Sequence, residues 1–128
     1  MTEANKKSEI EIVAKVEHAR HCANFIKENE TFVFDTDGKL LPEKSTANLC
    51  LGMLARIQPA LMIAKERAAS GLDPLPVTIP YLDCFDTGID FGGMGKVTVK
   101  LFTQKANYFF KKILLIYCTI LLQIEWTK

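Results

Sequence analysis

Apolar and polar residues alternate in two segments of this chain, one near its start and one near residue 100. Residues 9–16 carry an apolar side chain at every second position, and residues 96–101 repeat the pattern. A period of two residues is typical of a strand that buries one face. Residues 31–34 predict a further strand, which ends before the turn-forming pair Asp37-Gly38. The chain therefore needs a sheet with a partner layer on its apolar face.

A helical pattern between these strands supplies that layer. From Ser45 or Thr46, either of which suits a helix N-cap, apolar residues recur every three or four positions until Ser70 and Gly71. Pro59 interrupts the run, and a proline inside a helix costs about 3 kcal/mol. We expect a kinked helix or two short helices. Together the patterns predict an α+β domain, with a small, mainly antiparallel sheet and the kinked helix or helix pair on one face.

Residues 18–27 are short and mixed in character, which is compatible with a further helical segment. Residues 73–80 hold three prolines and predict an irregular, extended connection before the last strand.

Length and charge bound the class of protein. A chain of 128 residues, 48% hydrophobic and 24% charged, suits one globular domain. The net charge is +1 and the basic residues form no stripe, so we expect no nucleic-acid partner. Residues 1–8 are polar and lack the apolar core of a secretory signal, which predicts a cytoplasmic protein with reduced cysteines. The predicted division is a polar tail at 1–8, a single domain at 9–102 and an apolar C-terminal segment at 103–128.

The C-terminal segment changes composition abruptly. Its uninterrupted apolar part, residues 113–122, would measure ~15 Å as a helix, whereas a bilayer core is ~30 Å thick. Lys111, Lys112 and Trp126 could flank an interfacial segment, so a membrane surface is a candidate partner of residues 108–126. A buried helix or strand is an alternative, and so is a stretch appended by an altered reading frame.

Residues 83–95 hold three acids, a thiol and four glycines. Glycines let the backbone approach a ligand closely, and carboxylates or a thiol can complete such a platform. The sequence therefore predicts a site for an anionic or carbonyl-bearing ligand, formed by Cys84, Asp86, Asp90, Gly92, Gly93 and Gly95. The alternative is a structural loop, in which the glycines only allow a tight approach to the last strand.

The triplet Asp86-Thr87-Gly88 resembles the active-site signature of aspartic proteases. In the retroviral type each of two chains supplies one Asp, so the resemblance implies a dimeric protease with Asp86 as catalytic acid. The triplet lies late in this chain, however, and little of a barrel could follow it. A turn stabilised by the Asp86 side chain is the simpler interpretation, and we expect no catalysis.

Four cysteines stand at positions 22, 50, 84 and 118. Cys22, Cys50 and Cys84 with His21, or with His18 in its place, would form a chemically sensible zinc or iron–sulfur site. No Cys-x-x-Cys pair is present, so each ligand must come from a separate element. The alternative is that Cys50 is a small core residue and the histidines lie at the surface.

A wider resemblance covers residues 10–101. The first strand followed by Cys22, the segment 30–35 with Gly38, Cys50 ahead of Ile57-Gln58-Pro59, and Cys84 before Asp86 and Gly88 together resemble a small prokaryotic family of single-domain proteins. That family has no established activity, so the resemblance implies no catalytic residue. It implies that three cysteines belong to the domain and that Cys118 belongs to the C-terminal segment. We therefore expect a non-catalytic accessory or ligand-binding module, with a cysteine-centred metal or redox protein as the alternative.

Overall fold

A computed structural model describes residues 9–75, 80–86, 88, 92–106 and 109–126. The strands are β1 (Ile10–Arg20), β2 (Thr31–Asp35), β3 (Tyr81–Asp83) and β4 (Lys96–Lys105), and the helices are α1 (Leu51–Ala69) and α2 (Phe109–Trp126). The strands form one antiparallel sheet in the order β2-β1-β4-β3. The predicted α+β class is confirmed.

One face of the sheet packs against α1. The alternating residues of β1 and β4 and the aromatic pair of β2 point to this face, and α1 meets them with residues spaced three or four apart. The resulting core contains Ile12, Ala14, Val16, Phe32, Phe34, Met53, Ile57, Leu61, Ala64, Val97, Val99 and Leu101.

The opposite face holds a buried carboxylate. Glu11 is only 3% exposed, although a half-buried strand predicts a solvent-facing position for it. Lys44 donates to Glu11 Oε1, and Gln104 Nε2 donates to Oε2 at 3.0 Å. The charge is buried because both of its oxygens have hydrogen-bond donors.

The helix begins later than the sequence predicts. Neither Ser45 nor Thr46 caps it: Ser45 Oγ accepts the Val33 N–H at 2.9 Å, and Thr46 Oγ1 accepts the Thr31 N–H at 2.9 Å. Both hydroxyls thus accept backbone N–H groups on the edge of β2 that no other strand pairs with. The sequence alone does not show whether such a hydroxyl caps a helix or bonds to a strand. The end of the helix is as predicted, with Ser70 as C-cap and Gly71 in the left-handed region.

Pro59 lies within α1, and the structure has a single helix where the sequence allowed two. Pro59 and Ala55, whose carbonyl loses its helical donor, are both exposed. Water can therefore replace the missing hydrogen bond, which explains why the helix continues.

The predicted helix at residues 18–27 is wrong. β1 instead continues through a bulge after Val16 and ends at Arg20. A loop follows in which His21, Phe25 and Asn29 all have positive φ, an unusual density for residues other than glycine.

The sequence also missed β3, a three-residue strand within the expected irregular connection. β4 extends to Lys105, and the Ala106 N–H donates to the Glu9 carbonyl at 2.8 Å. The sheet therefore reaches three residues beyond position 102, while the division of the chain into a domain and a segment stays a prediction.

The C-terminal segment is helical from residue 109 to residue 126. Among the residues that the structure describes, no helix combines the length and the apolar character needed to cross a membrane.

Candidate ligand-binding cavity

A cavity of about 220 Å³ opens at the N-terminal end of α1. Its walls come from the loop after β1, the first turn of α1, the chain after β3 and the start of β4. The lining residues are Cys22, Ala23, Asn24, Ile26, Cys50, Gly52, Met53, Cys84, Phe85, Asp86, Gly95, Lys96 and Val97.

Three cysteines from separate segments line this one cavity. Cys22 follows β1, Cys50 is the N-cap of α1, and Cys84 follows β3. All three are free and partly buried, whereas Cys118 on α2 is exposed. Cys84 is held by Val97: the Cys84 N–H donates to the Val97 carbonyl at 2.9 Å, and the Val97 N–H donates to Cys84 Sγ at 3.3 Å.

The first turn of α1 presents the positive end of a helix to the cavity. Cys50 has the extended backbone of an N-cap, with φ −132° and ψ 111°, but no side chain caps the helix and its first turn contains no acid. The first N–H groups of a helix have no partner within the helix. Gly52, on this turn, leaves the backbone open to the cavity because it has no side chain.

Asp86 organises the loop that closes the cavity on the β4 side. Its Oδ1 accepts the Gly88 N–H at 2.9 Å, and its Oδ2 accepts the Met94 and Gly95 N–H groups, each at 3.1 Å. The Gly88 hydrogen bond is the main cause of a pKa that lies below the usual aspartate value, with Gly95 and Met94 adding to it. Asp86 is therefore an ionised loop anchor.

At two positions of this loop the backbone passes so close to neighbouring atoms that only glycine fits. A Cβ at Gly95 would collide with the backbone carbonyls of Arg20 and His21, at the end of β1. A Cβ at Gly93 would collide with the Asp86 carboxylate and lie 2.8 Å from the Gly88 nitrogen. Gly92 differs, since it has open space around it but a φ of +82°.

Charged groups connect β3, β4 and α1 beside the cavity. Thr98 Oγ1 donates to Asp83 Oδ1 at 2.6 Å, and Lys96 Nζ lies 3.1 Å from Asp83 Oδ2. The Thr98 hydrogen bond, followed by Lys96, lowers the pKa of Asp83. From α1, Arg56 Nε donates to the Asp83 carbonyl at 3.0 Å, and its guanidinium lies 5.3 Å from the centre of the Phe85 ring.

Large apolar side chains stand exposed around the cavity. Phe85, itself a lining residue, is 64% exposed. Phe25, Leu51 and Met94 each neighbour a lining residue in sequence, and Phe25 is 76% exposed with φ +57°. A bulky residue held at positive φ and open to solvent is a feature of ligand-contacting loops more than of cores.

The histidines do not join the cysteines. His21 does not line the cavity, and His18 Nδ1 lies 3.5 Å from Glu28 Oε1 at the surface. Within the part of the chain that the structure describes, no three His, Cys, Asp or Glu side chains are grouped so that they could hold a metal ion. Of the predicted set Cys22, Cys50, Cys84 and His21, the three cysteines thus line one cavity, but they do not form a group that could hold a metal ion.

The predicted ligand site is divided by the structure. Cys84, Asp86 and Gly95 line the cavity, Gly92 and Gly93 lie elsewhere in the same loop, and Asp90 is outside the described residues. Sequence reasoning missed Gly52 and Lys96. Gly52 stands two residues after Cys50 within the predicted helix. A glycine so close to a candidate site cysteine was the signal that could have identified it.

No family model matches the chain, and neither curated proteins nor solved structures gave a match. The resemblance to a prokaryotic single-domain family therefore stays a prediction. The fold is a helix packed on a four-stranded sheet, and the barrel that an aspartic protease requires does not fit it. Fold and site together define a small α+β domain with a cavity whose lining includes three cysteines.

Proposed function

We propose that the protein is a non-catalytic ligand-binding module whose site is this cavity. The observation that supports the proposal is that three thiols from separate segments and the uncapped N-terminus of α1 share one opening. Asp86, the acid that a catalytic role would use, has both oxygens engaged by backbone N–H groups. Residues 84–86 and Gly95 thus contribute a wall of the site, and Asp86 acts there through its hydrogen bonds to the backbone.

The chemistry of the walls indicates the ligand class. The positive end of α1 favours an anionic or carbonyl oxygen, whereas the Lys96 ammonium is already paired with Asp83. Ile26, Met53 and Val97 supply an apolar wall for the rest of the molecule. The cavity lies below the usual range of roughly 300–1,000 Å³ for drug-sized ligands, so the ligand is a small organic acid or carbonyl compound with an apolar body.

Benzoate is a suitable probe, with benzyl alcohol as the uncharged molecule of the same shape. Titration of ¹⁵N-labelled protein with benzoate should shift the amide resonances of Gly52 and Gly95 in a saturable manner. Benzyl alcohol should shift them less, because it lacks the carboxylate that the helix terminus favours. Benzoate shifts that are absent, or that are confined to residues away from the cavity, would reject the proposal.

A matched pair of variants links binding to this cavity. Gly52→Val places a branched side chain at the opening, where a Cβ has its nearest contact, Cys50 Sγ, at 3.9 Å and so fits without backbone movement. Ala69→Val makes a comparable change on the exposed last turn of the same helix. Only Gly52→Val should weaken benzoate binding, by about tenfold or more.

The second candidate is a cysteine-centred redox or metal protein in the cytoplasm, with zinc or an iron–sulfur centre as the metal alternatives. The location of Cys22, Cys50 and Cys84 in the walls of one cavity supports the redox form of this candidate, whereas their arrangement is not one that could hold a metal ion. Metal content and visible absorbance of protein purified without added metal, together with thiol titration, discriminate between the two candidates. Stoichiometric metal, or a disulfide among these three thiols, would favour the second candidate over the first.

A further inference from the structure

The helix α2 exposes an apolar surface that the rest of the chain does not cover. In residues 113–125, where the side chains are described, every large apolar side chain is at least half exposed or close to it, and Tyr117 reaches 66%. Contiguous apolar patches of this kind are rare on single folded chains and mark interaction surfaces. The exposed residues are Ile113, Leu114, Leu115, Ile116, Tyr117, Ile120, Leu121, Leu122 and Ile124.

Their spacing is that of a helix-packing seam. Ile113, Tyr117, Ile120 and Ile124 follow one another at intervals of four, three and four residues, which places them on one stripe of α2. Leu114 and Leu121 flank the stripe on one side and Ile116 flanks it on the other. We call these seven residues the α2 seam.

The composition of α2 disfavours a bilayer as the covering partner. A helix lying in a membrane surface needs a strongly charged face that is rich in lysine and arginine. The two basic residues of α2, Lys111 and Lys112, are both in its first turn, residues 113–125 add only the acid Glu125, and the side opposite the seam carries Leu115 and Leu122. Apolar residues on both sides suit a helix that is surrounded by other helices.

We propose that the α2 seam packs against the same seam of further copies of this chain, forming a bundle of three or four helices. Three of the four stripe residues are β-branched isoleucines, the fourth being Tyr117, and isoleucine at such positions favours more than two strands. The apolar residues on either side of the stripe also favour more than two helices, because they make the stripe wider than one partner helix can cover.

The exposed area of the seam indicates more than one partner helix. A large apolar side chain offers roughly 60–120 Å² for burial when it is fully exposed. The seam residues are 49–66% exposed, so about half of that area is available on each of them. Seven side chains then give roughly 200–400 Å² on each helix, and two facing seams bury roughly 400–800 Å² in total. Stable interfaces bury ~1,200–2,000 Å², a range that four helices reach with roughly 800–1,600 Å².

Sedimentation velocity of the full chain tests the proposal. The expected particle has about three or four times the 14.4 kDa mass of one chain. Ile120→Glu, which places a charge in the seam, should reduce the particle to one chain. Thr119→Glu makes a comparable change one residue away and off the seam, and should leave the assembly intact. The two variants should have the same unfolding midpoint for the α1–sheet domain at low protein concentration. Equal midpoints would show that neither substitution unfolds this domain.

Flotation with vesicles of phosphatidylcholine and phosphatidylglycerol separates the competing outcome. A chain that sediments as a monomer in buffer but floats with vesicles would overturn the proposal in favour of a membrane surface. A monomer that does not float, or an assembly that persists in Ile120→Glu, would overturn it as well.

Discussion

At the residue scale, Asp86 shows how a catalytic-looking motif can serve a structural purpose. Its carboxylate gathers three N–H groups from a loop that returns to the sheet, and Gly93 and Gly95 are glycines because that return passes directly against Asp86 and the end of β1. The structural-loop alternative for residues 83–95 thus accounts for Asp86, Gly93 and Gly95. The thiol of Cys84 and the backbone of Gly95 remain as cavity walls.

The lowered pKa of Asp86 gives a stability effect with a defined direction. A carboxyl group whose pKa is lower in the folded state stabilises that state at neutral pH, and the effect is lost as pH falls below the ordinary value of ~3.9 towards the lowered folded value. Asp86→Asn should therefore lower the thermal midpoint at pH 7. The deficit should shrink as pH falls through the ordinary aspartate pKa towards the lowered folded one.

Thermal unfolding followed by circular dichroism at each pH measures this difference. Asp37→Asn, in the turn after β2, makes the same chemical change outside the loop and should give a profile parallel to that of the unchanged chain. A midpoint difference for Asp86→Asn that is independent of pH would show that the loop does not depend on the charge of Asp86.

At the element scale, α1 lacks the cap that its backbone is ready to accept. Cys50 has N-cap geometry without a capping oxygen. Serine, threonine, aspartate and asparagine are the residues that stabilise this position, typically by ~0.5–2 kcal/mol relative to alanine. A thiol at this position forgoes that stability, which is compatible with the proposed ligand site at the first turn of α1.

Cys50→Ser should accordingly raise the free energy of unfolding, by about 0.5–1 kcal/mol, because the hydroxyl can accept the N–H of Gly52 or Met53. The same variant should weaken benzoate binding, since its side chain now competes for those donors. Urea denaturation measures the first effect. Cys118→Ser on exposed α2 is the control and should change neither property. An unchanged or lower stability of Cys50→Ser would mean that these N–H groups already have partners.

Elements with a strong local period could be predicted from the sequence, and those that depend on long-range partners could not. The alternation in β1 and β4 and the spacing of Met53, Ile57, Leu61 and Ala64 were sufficient for the sheet and its helix. Residues 18–27 are short and mixed in character, which is compatible with a helix, yet pairing with β4 holds residues 18–20 in β1. β3 is only three residues long and exists because β4 offers it an edge.

The candidate site shows the same limit of sequence-based prediction. Residue type alone singled out its cysteines and its glycine-rich loop, but it did not show that they line one cavity. Whether three residues on separate segments converge depends on register and on where α1 begins. A start at Ser45 or Thr46 would have placed Cys50 inside the helix and not at its N-cap, at the mouth of the cavity.

At the scale of the whole molecule, two parts with different surfaces share one chain. The α1–sheet domain has a buried core and exposes some large apolar residues, among them Phe25, Leu51 and Phe85 around the cavity, whereas the large apolar residues described on α2 are all about half exposed or more. Such a division suits a module that binds its ligand at one place and assembles through another. The two proposals are therefore separable, since neither the cavity nor the α2 seam contains residues of the other.

Shortening the chain tests this separation and locates the end of the domain. A chain of residues 1–106 keeps the full β1–β4 pairing, from Ile10 opposite Lys105 onwards, and the last hydrogen bond of Ala106. It should unfold in one cooperative transition, with the stability and urea dependence of the monomeric Ile120→Glu variant, because α2 buries little surface against the domain. Loss of cooperative unfolding would show that α2 completes the core.

A chain of residues 1–102 is the matched comparison, since it ends where the sequence pattern alone places the boundary. It lacks the pairing of residues 103–105 and the Gln104 hydrogen bond to the buried Glu11 carboxylate. Leaving a buried charged group short of a partner costs about 1–3 kcal/mol or more, so this chain should be less stable than residues 1–106 by at least that amount. Equal stability in urea denaturation would mean that Lys44 alone satisfies Glu11 and that the domain does end near position 102.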